Sequence, residues 1–272
     1  MKTLKKIMRT IFNRFGLDVV RSNSFKGDIY ALNNNFEELL LNYENLFGEK
    51  FGKIPANKIR TELMKDLSGT PPSEAYFIIH SLYQTRNIEG DICEFGVAQG
   101  KTSQLIANEM KDGTKKLHLF DSFQGLPEPT EKDILKDDIF NLGSMKAYAG
   151  TISISESLVR NGLEKIQYSE NRFVIHKSFI EELIKRKLEL FPTAVSFAYI
   201  DFDFYEPTQI ALDFLHGVTK KGAILMVDDY DFFSTGAKTA VDEFVKKYHS
   251  IYDIFIPEKT FGHFAVLSKL QD

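Results

Sequence analysis

From residue 90 onward the chain alternates between short apolar runs and longer amphipathic stretches. Runs at 91–95, 116–120, 172–175, 196–200 and 223–227 are largely apolar throughout, which predicts strands buried on both faces. Between them, apolar residues recur at helical spacing in stretches that begin near Lys101, Ser155, Phe179, Pro207 and Ala237. Buried strands separated by helices predict a parallel sheet covered on both sides. Two more runs, 251–256 and 263–267, are joined by a short loop containing Gly262, and strands so close together can pair only antiparallel. The pattern as a whole predicts an α/β fold: a mostly parallel seven-stranded sheet ended by a C-terminal antiparallel hairpin. Upstream, Thr70-Pro71-Pro72-Ser73-Glu74 starts a helix whose apolar face is Ala75, Ile78, Ile79, Leu82 and Tyr83. Residues 33–65, polar and broken by Gly48, Gly52 and Pro55, read as an N-terminal helical cap. The predicted division is an N-terminal segment, 1–72, and a main domain, 73–272.

Composition adds exclusions. With 43% apolar residues among 272 the chain can fill the core of one α/β domain, and no apolar run approaches the roughly 18 residues needed to span a bilayer. Its single cysteine, Cys93, rules out an intrachain disulfide and suits a reducing cytoplasm. A net charge of −4 argues against a nucleic-acid partner, which would require a concentrated basic surface. The charge is uneven, however. Lys2, Lys5, Lys6, Arg9, Arg14 and Arg21 face only Asp18, while Leu4, Ile7, Met8, Ile11, Phe12 and Phe15 recur at helical spacing. This start reads as a basic amphipathic helix that packs on the domain or on a second subunit in a homo-oligomer; the alternative is peripheral contact with a membrane.

The candidate chemistry falls at strand ends, where open α/β sheets bind their ligands. Glu94-Phe95-Gly96-Val97-Ala98-Gln99-Gly100-Lys101-Thr102-Ser103 follows the first strand. Its glycines allow a sharp turn and close approach to a ligand, and Thr102 and Ser103 place hydroxyls at the next helix start. The third glycine of a dinucleotide fingerprint is missing. An acid in that position suits S-adenosylmethionine, which has no phosphate but carries an amino group and a sulfonium; a plain strand–helix turn would also explain the glycines. In Phe120-Asp121-Ser122-Phe123-Gln124-Gly125-Leu126-Pro127, Asp121 can accept both ribose hydroxyls of an adenosine, and Phe123 can pack beside the adenine. The alternative for Asp121 is a turn or helix cap. Asp201 and Asp203, after the fourth strand, and Asp228 and Asp229, after the fifth, crowd four carboxylates at neighbouring strand ends. Such hard oxygen donors suit Mg²⁺ or Ca²⁺, which would lower the pKa of a substrate hydroxyl for a nearby carboxylate base. The competing reading has Asp203 and Asp229 capping loops while Asp201 alone meets the ligand. His176 is an alternative base, though a lone histidine is more often structural. Residues 128–154, polar and containing Gly143 and Gly150, are long for a loop and predict an active-site lid.

Together the series Gly90-Asp91-Ile92-Cys93-Glu94-Phe95-Gly96-Val97, Asp121-Ser122-Phe123-Gln124-Gly125-Leu126-Pro127, Asp201-Phe202-Asp203-Phe204-Tyr205-Glu206 and Val227-Asp228-Asp229-Tyr230 resembles the macrocin O-methyltransferase family, from about Ser73 to Tyr248. The resemblance implies a Rossmann-like class I methyltransferase fold and methylation of a hydroxyl on a sugar, a glycosylated small molecule or a glycan. It implies S-adenosylmethionine at Glu94, Gly96, Gly100, Thr102, Ser103, Asp121, Ser122 and Phe123, with Lys177 and Ser178 bordering the adenine. It further implies Mg²⁺ on Asp201, Asp228 and Asp229, and Asp201 and Asp203 as the catalytic pair. Phe202 and Ser178 stand where the family commonly has glycine, and neither the chain before Ser73 nor residues 128–154 match it. Three rival readings remain open at this point: a phenolic acceptor, a non-catalytic S-adenosylmethionine-binding protein, and a nicotinamide oxidoreductase opposed by the missing glycine and the terminal hairpin.

Overall fold

A computed structural model describes residues 25–57, 59–186 and 190–272. The basic amphipathic segment predicted over the first 21 residues lies outside them. The larger of two compact units is Phe47–Asp272, and the smaller ends at Leu46. Helix α1 (Phe25–Phe51) stops at Gly52, whose positive φ of 93° suits a residue without Cβ. Among the described residues, no helix is long and apolar enough to cross a membrane.

After α2 (Arg60–Lys65) and α3 (Pro72–Gln84) the chain enters the alternation predicted from its pattern. The elements are β1 (Asp91–Phe95), α4 (Lys101–Glu109), β2 (Leu117–Asp121), α5 (Glu156–Lys165), β3 (Phe173–Lys177), α6 (Ile180–Arg186), β4 (Val195–Ile200), α7 (Tyr205–Val218), β5 (Thr219–Val227), α8 (Gly236–Lys247), β6 (Tyr252–Phe255) and β7 (Ala265–Lys269). The seven strands form one sheet in the order β3-β2-β1-β4-β5-β7-β6, parallel except for β7, which runs antiparallel between β5 and β6.

Alternation along each strand divides the core in two. Ile92, Leu117, Leu119, Phe197, Tyr199 and Met226 face α3, α4 and α5 through Ile78, Leu82, Ile106, Val159 and Leu163. Cys93, Phe95, Phe120, Ala198, Ile200 and Leu225 face α6, α7 and α8 through Leu183, Leu212, Leu215, Val241 and Phe244. The strand order reverses between β1 and β4, so the crevice beyond their carboxyl ends is the switch point of the sheet.

The hairpin is present, but β7 begins two residues later than its apolar pattern predicts. Residues 259–261 form a 3₁₀ turn and His263 stacks on Phe232, which draws the chain off the sheet until Ala265. Residues 128–154 are not a bare loop. Met145 and Tyr148 pack with Phe204 and Phe233 into a small core of their own, and the segment at 130–137 is tied to residues 231–236.

Candidate active site

The turn after β1 is built on contact between neighbouring strand ends. Gly96 has φ 81°, and a Cβ there would lie 1.8 Å from the Asp201 carbonyl oxygen, so a side chain would force the β1 and β4 ends apart. Gly100, also left-handed at φ 70°, leads into α4. Asp121 closes the turn from the side. Its Oδ2 accepts the Val97 and Ala98 backbone N–H groups at 2.8 and 3.0 Å, and its Oδ1 accepts that of Phe123 at 2.6 Å. Asp121 therefore fixes both strand-end loops while still facing the cavity.

Beneath this turn lies Glu94, 1% exposed, and neither carboxyl oxygen has a hydrogen-bond partner. Burial pushes its pKa up to about 8, opposed by the neighbouring Ser103 hydroxyl and assisted by the charge of Asp121. An unsatisfied buried carboxyl group is costly, and a cationic group placed near it would relieve that cost.

Across the crevice the four aspartates separate into two environments. Single oxygens of Asp201, Asp203 and Asp229 lie within 4.8 Å of one another. Asp203 and Asp229 both take left-handed backbone conformations, φ 61° and 54°. Asp228 is already engaged: its Oδ1 accepts the Asp229 N–H at 2.8 Å and its Oδ2 accepts the Tyr199 hydroxyl at 2.6 Å. The same hydroxyl lies 3.0 Å from Glu74 Oε1. A phenol carries one proton, so two carboxyl groups around its oxygen require a second proton, on one of the acids. Burial and the nearby Asp228 charge raise the pKa of Glu74 well above its ordinary value. Burial and mutual repulsion likewise raise Asp201 and Asp203 far above their ordinary values and bring Asp229 to about 7. Among the described residues no lysine or arginine pairs with these three aspartates.

The two sides enclose one cavity of about 560 Å³, within the range of small-molecule sites (~300–1,000 Å³). Of the residues singled out from sequence, Gly96, Thr102, Asp121, Ser122, Ser178, Asp201, Asp203, Asp228 and Asp229 line it. Glu94, Gly100, Ser103 and Phe123 sit behind the wall. Lys177 points elsewhere, pairing with Glu156 at 3.4 Å and lying 5.8 Å over the Phe123 ring. His176 is not at the cavity: it is buried, bonded to His118 at 3.0 Å and stacked on Phe120, and burial lowers its pKa to about 4. Phe202 lines the aspartate side of the cleft and packs edge-on against Phe95. Sequence reasoning missed Glu74, Tyr199 and the wall formed by Ser68, Gly69 and Thr70. Glu74 reads as an ordinary acid in a helix first turn and Tyr199 as strand core; only the sheet order joins them.

The macrocin-O-methyltransferase (TylF) family matches residues 78–258, well over half of the chain and every strand end just described. The chain belongs to that family. The matched region holds the turn after β1, Asp121 and all four aspartates, and it makes this protein an S-adenosylmethionine-dependent O-methyltransferase. Solved structures agree on the fold. The O-methyltransferase NovP superposes with a TM-score of 0.63 at 18% identity, covering 87% of this chain and 100% of its own. The calicheamicin methyltransferase CalS11 gives 0.56 at 18% identity, over 93% and 95%. TomG from Streptomyces achromogenes, solved with S-adenosylmethionine, gives 0.50 at 11% identity, over 84% and 95%. At these identities the likeness is one of fold. No curated protein matches the sequence significantly.

Proposed function

We propose that this O-methyltransferase acts on a hydroxyl of a sugar or glycosylated small molecule, with Mg²⁺ held by Asp201, Asp203 and Asp229, and that residues 73–272 form the transferase domain. The observation that carries the reading is the triad of carboxylates, crowded without a counter-charge, facing the cofactor turn across one cavity. The donor set fits: three hard oxygens close together and no nitrogen or sulfur among them suit Mg²⁺. Asp228, with both oxygens engaged, serves less well as a ligand than Asp203, although the family resemblance pointed to Asp228. The cofactor turn also fits its ligand, since Glu94 offers an unpaired carboxyl group behind Gly96 and Asp121 faces the same space. A carbohydrate acceptor is supported by the family and by CalS11, a TDP-rhamnose 3′-O-methyltransferase.

In the proposed reaction the acceptor oxygen attacks the methyl carbon, the carbon–sulfur bond breaks, its electron pair stays on sulfur, and the hydroxyl proton passes to a carboxylate. A bound Mg²⁺ would lower the pKa of that hydroxyl. The protein's own task is alignment: Gly96 and Asp121 hold the donor side, and Asp201 and Asp203 hold the acceptor side and receive the proton. The test is methyl transfer to a panel of glycosides and phenols, followed by mass spectrometry with and without a chelator. Transfer to glycosides that stops on chelation supports the reading; undiminished transfer in chelator rules out the metal, and phenols as the sole acceptors rule out the sugar.

A further inference from the structure

Helix α7 begins one residue after Phe204, which cannot cap it, and no side chain of its own segment does so. The cap arrives from 72 residues upstream. Asp133, buried in the 130–137 segment, accepts the Tyr205 backbone N–H on Oδ1 at 2.7 Å, while its Oδ2 accepts the Thr130 N–H and hydroxyl at 2.7 and 2.8 Å. The approach is close: a Cβ on Gly236 would lie 2.0 Å from Asp133 Oδ1. Beside it, the Ser234 hydroxyl donates to the Asp203 carbonyl at 2.9 Å and accepts the Gly236 N–H at 2.9 Å.

The chain is thus held just after Asp203: Ser234 fixes the Asp203 carbonyl and Asp133 fixes the N–H of Tyr205, two residues on. The Asp203 φ of 61° is unfavourable for a residue with a Cβ and persists only where the surroundings enforce it. The 130–137 segment is bound in turn to the loop after Asp229. Leu135 bridges Ser234, Thr235 N–H bonds to the Ile134 carbonyl, and Lys136 N–H bonds to that of Phe233. The chain then continues to Ile139 and Phe140, which line the cavity. We propose that Asp133 and Ser234 are positioning residues that hold Asp203 in register with Asp201 and Asp229, and that through them the 130–140 wall sets the geometry of the metal-holding triad. Residues supporting metal ligands in this way influence affinity without touching the ion. The proposal rests on the metal reading given above.

The test is Mn²⁺ binding to the full chain, followed by electron paramagnetic resonance and calorimetry well below the unfolding temperature, with S-adenosylhomocysteine affinity measured alongside. Asp133→Ala is expected to weaken Mn²⁺ binding by about tenfold or more, and Ser234→Ala by a smaller factor, with S-adenosylhomocysteine affinity unchanged. Asp133→Asn, which keeps a carbonyl oxygen for the Tyr205 N–H, should recover most of the loss. A merely structural role would lower the melting temperature without moving Mn²⁺ affinity. If Asp133→Ala does not fold, Ser234→Ala decides, and wild-type affinity there overturns the proposal. Mn²⁺ binding that Asp201→Asn abolishes but Asp133→Ala leaves intact overturns the positioning role alone. A wild-type chain that does not bind Mn²⁺ overturns the metal reading and this proposal with it.

Discussion

Both ends of the central sheet hold charged groups largely away from solvent, and they do so in opposite ways. At the amino end Lys115 donates to the Thr85 and Ile88 carbonyls and to the Ser196 hydroxyl, at 3.2, 2.5 and 2.6 Å. Asp91 accepts the Lys116 N–H at 2.8 Å and meets His118 at 3.2 Å, and His118 in turn meets His176. At Asp91 burial works against the charge, but the bonds from His118 and Lys116 outweigh it and hold the carboxyl below its ordinary range. Lys115, Asp91 and His118 each have partners there. At the carboxyl end Glu94 has no partner, and Asp201, Asp203 and Asp229 repel one another. Saturated buried charge contributes to a fold, whereas unsaturated buried charge destabilises it and persists where a ligand completes it.

Substitutions at the two ends should therefore fail differently. Asp201→Asn is expected to reduce methyl transfer by at least about a hundredfold while leaving the melting temperature unchanged or higher, because one repelling charge is removed. Steady-state assays and calorimetry on the same preparation would show the split, and a large loss of stability would place Asp201 with the structural charges instead. Lys115→Met should do the reverse. It strips three acceptors of their donor, costs about 2–4 kcal/mol and lowers the midpoint by roughly 5–10 °C, with kcat and KM near wild type. A Lys115 variant that stays stable but loses activity would erase the distinction between the ends.

The contrast was only half visible in the linear chain. Strand β1 falls where Gly90 and Gly96 bound an apolar run, and the predicted helix starts at Lys101, Ser155, Phe179, Pro207 and Ala237 lie within two residues of those observed. Periodicity is local, so local signals find it. Strand β5 begins at Thr219, ahead of its apolar core, because Thr219 pairs with Val195 and the chain then bulges through exposed Lys220 and Lys221 before the ladder resumes at Ile224. The site was legible as four acids at two strand ends, but which of them converge was not. That depends on the left-handed turns at Asp203 and Asp229 and on Tyr199 drawing Asp228 aside, and neither leaves a mark in residue type. Asp121 illustrates the same limit. Its place at the end of β2 was evident, whereas its three bonds to the Val97, Ala98 and Phe123 N–H groups depend on how two loops meet.

Those bonds give Asp121 a share in both kinds of behaviour, because it is saturated by backbone yet faces the cavity. Asp121→Ala should weaken S-adenosylhomocysteine binding by about tenfold, or ~1.4 kcal/mol, and also lower stability modestly. Isothermal titration beside thermal melts separates the two effects. Unchanged affinity with reduced stability would mean that Asp121 only ties the loops.

The smallest effect is the one on pH, and it tests the comparison without a substitution. Burial lifts Asp229 to about 7 and Glu94 to about 8, whereas free carboxyl groups titrate near ~4. Between about pH 4 and 8 the folded chain consequently holds protons that the unfolded chain has released, so stability must fall as pH rises through that window. Asp91, shifted the other way, gives up its contribution only as pH falls below the ordinary carboxyl range, outside the window. In chelator the melting midpoint should therefore be a few degrees higher at pH 5.5 than at pH 8. Added Mg²⁺ should raise the midpoint more at pH 8, where the acids hold fewer protons and the ion displaces fewer of them. A flat profile in chelator, or a Mg²⁺ effect independent of pH, would mean that the carboxyl-end acids are as well compensated as Asp91.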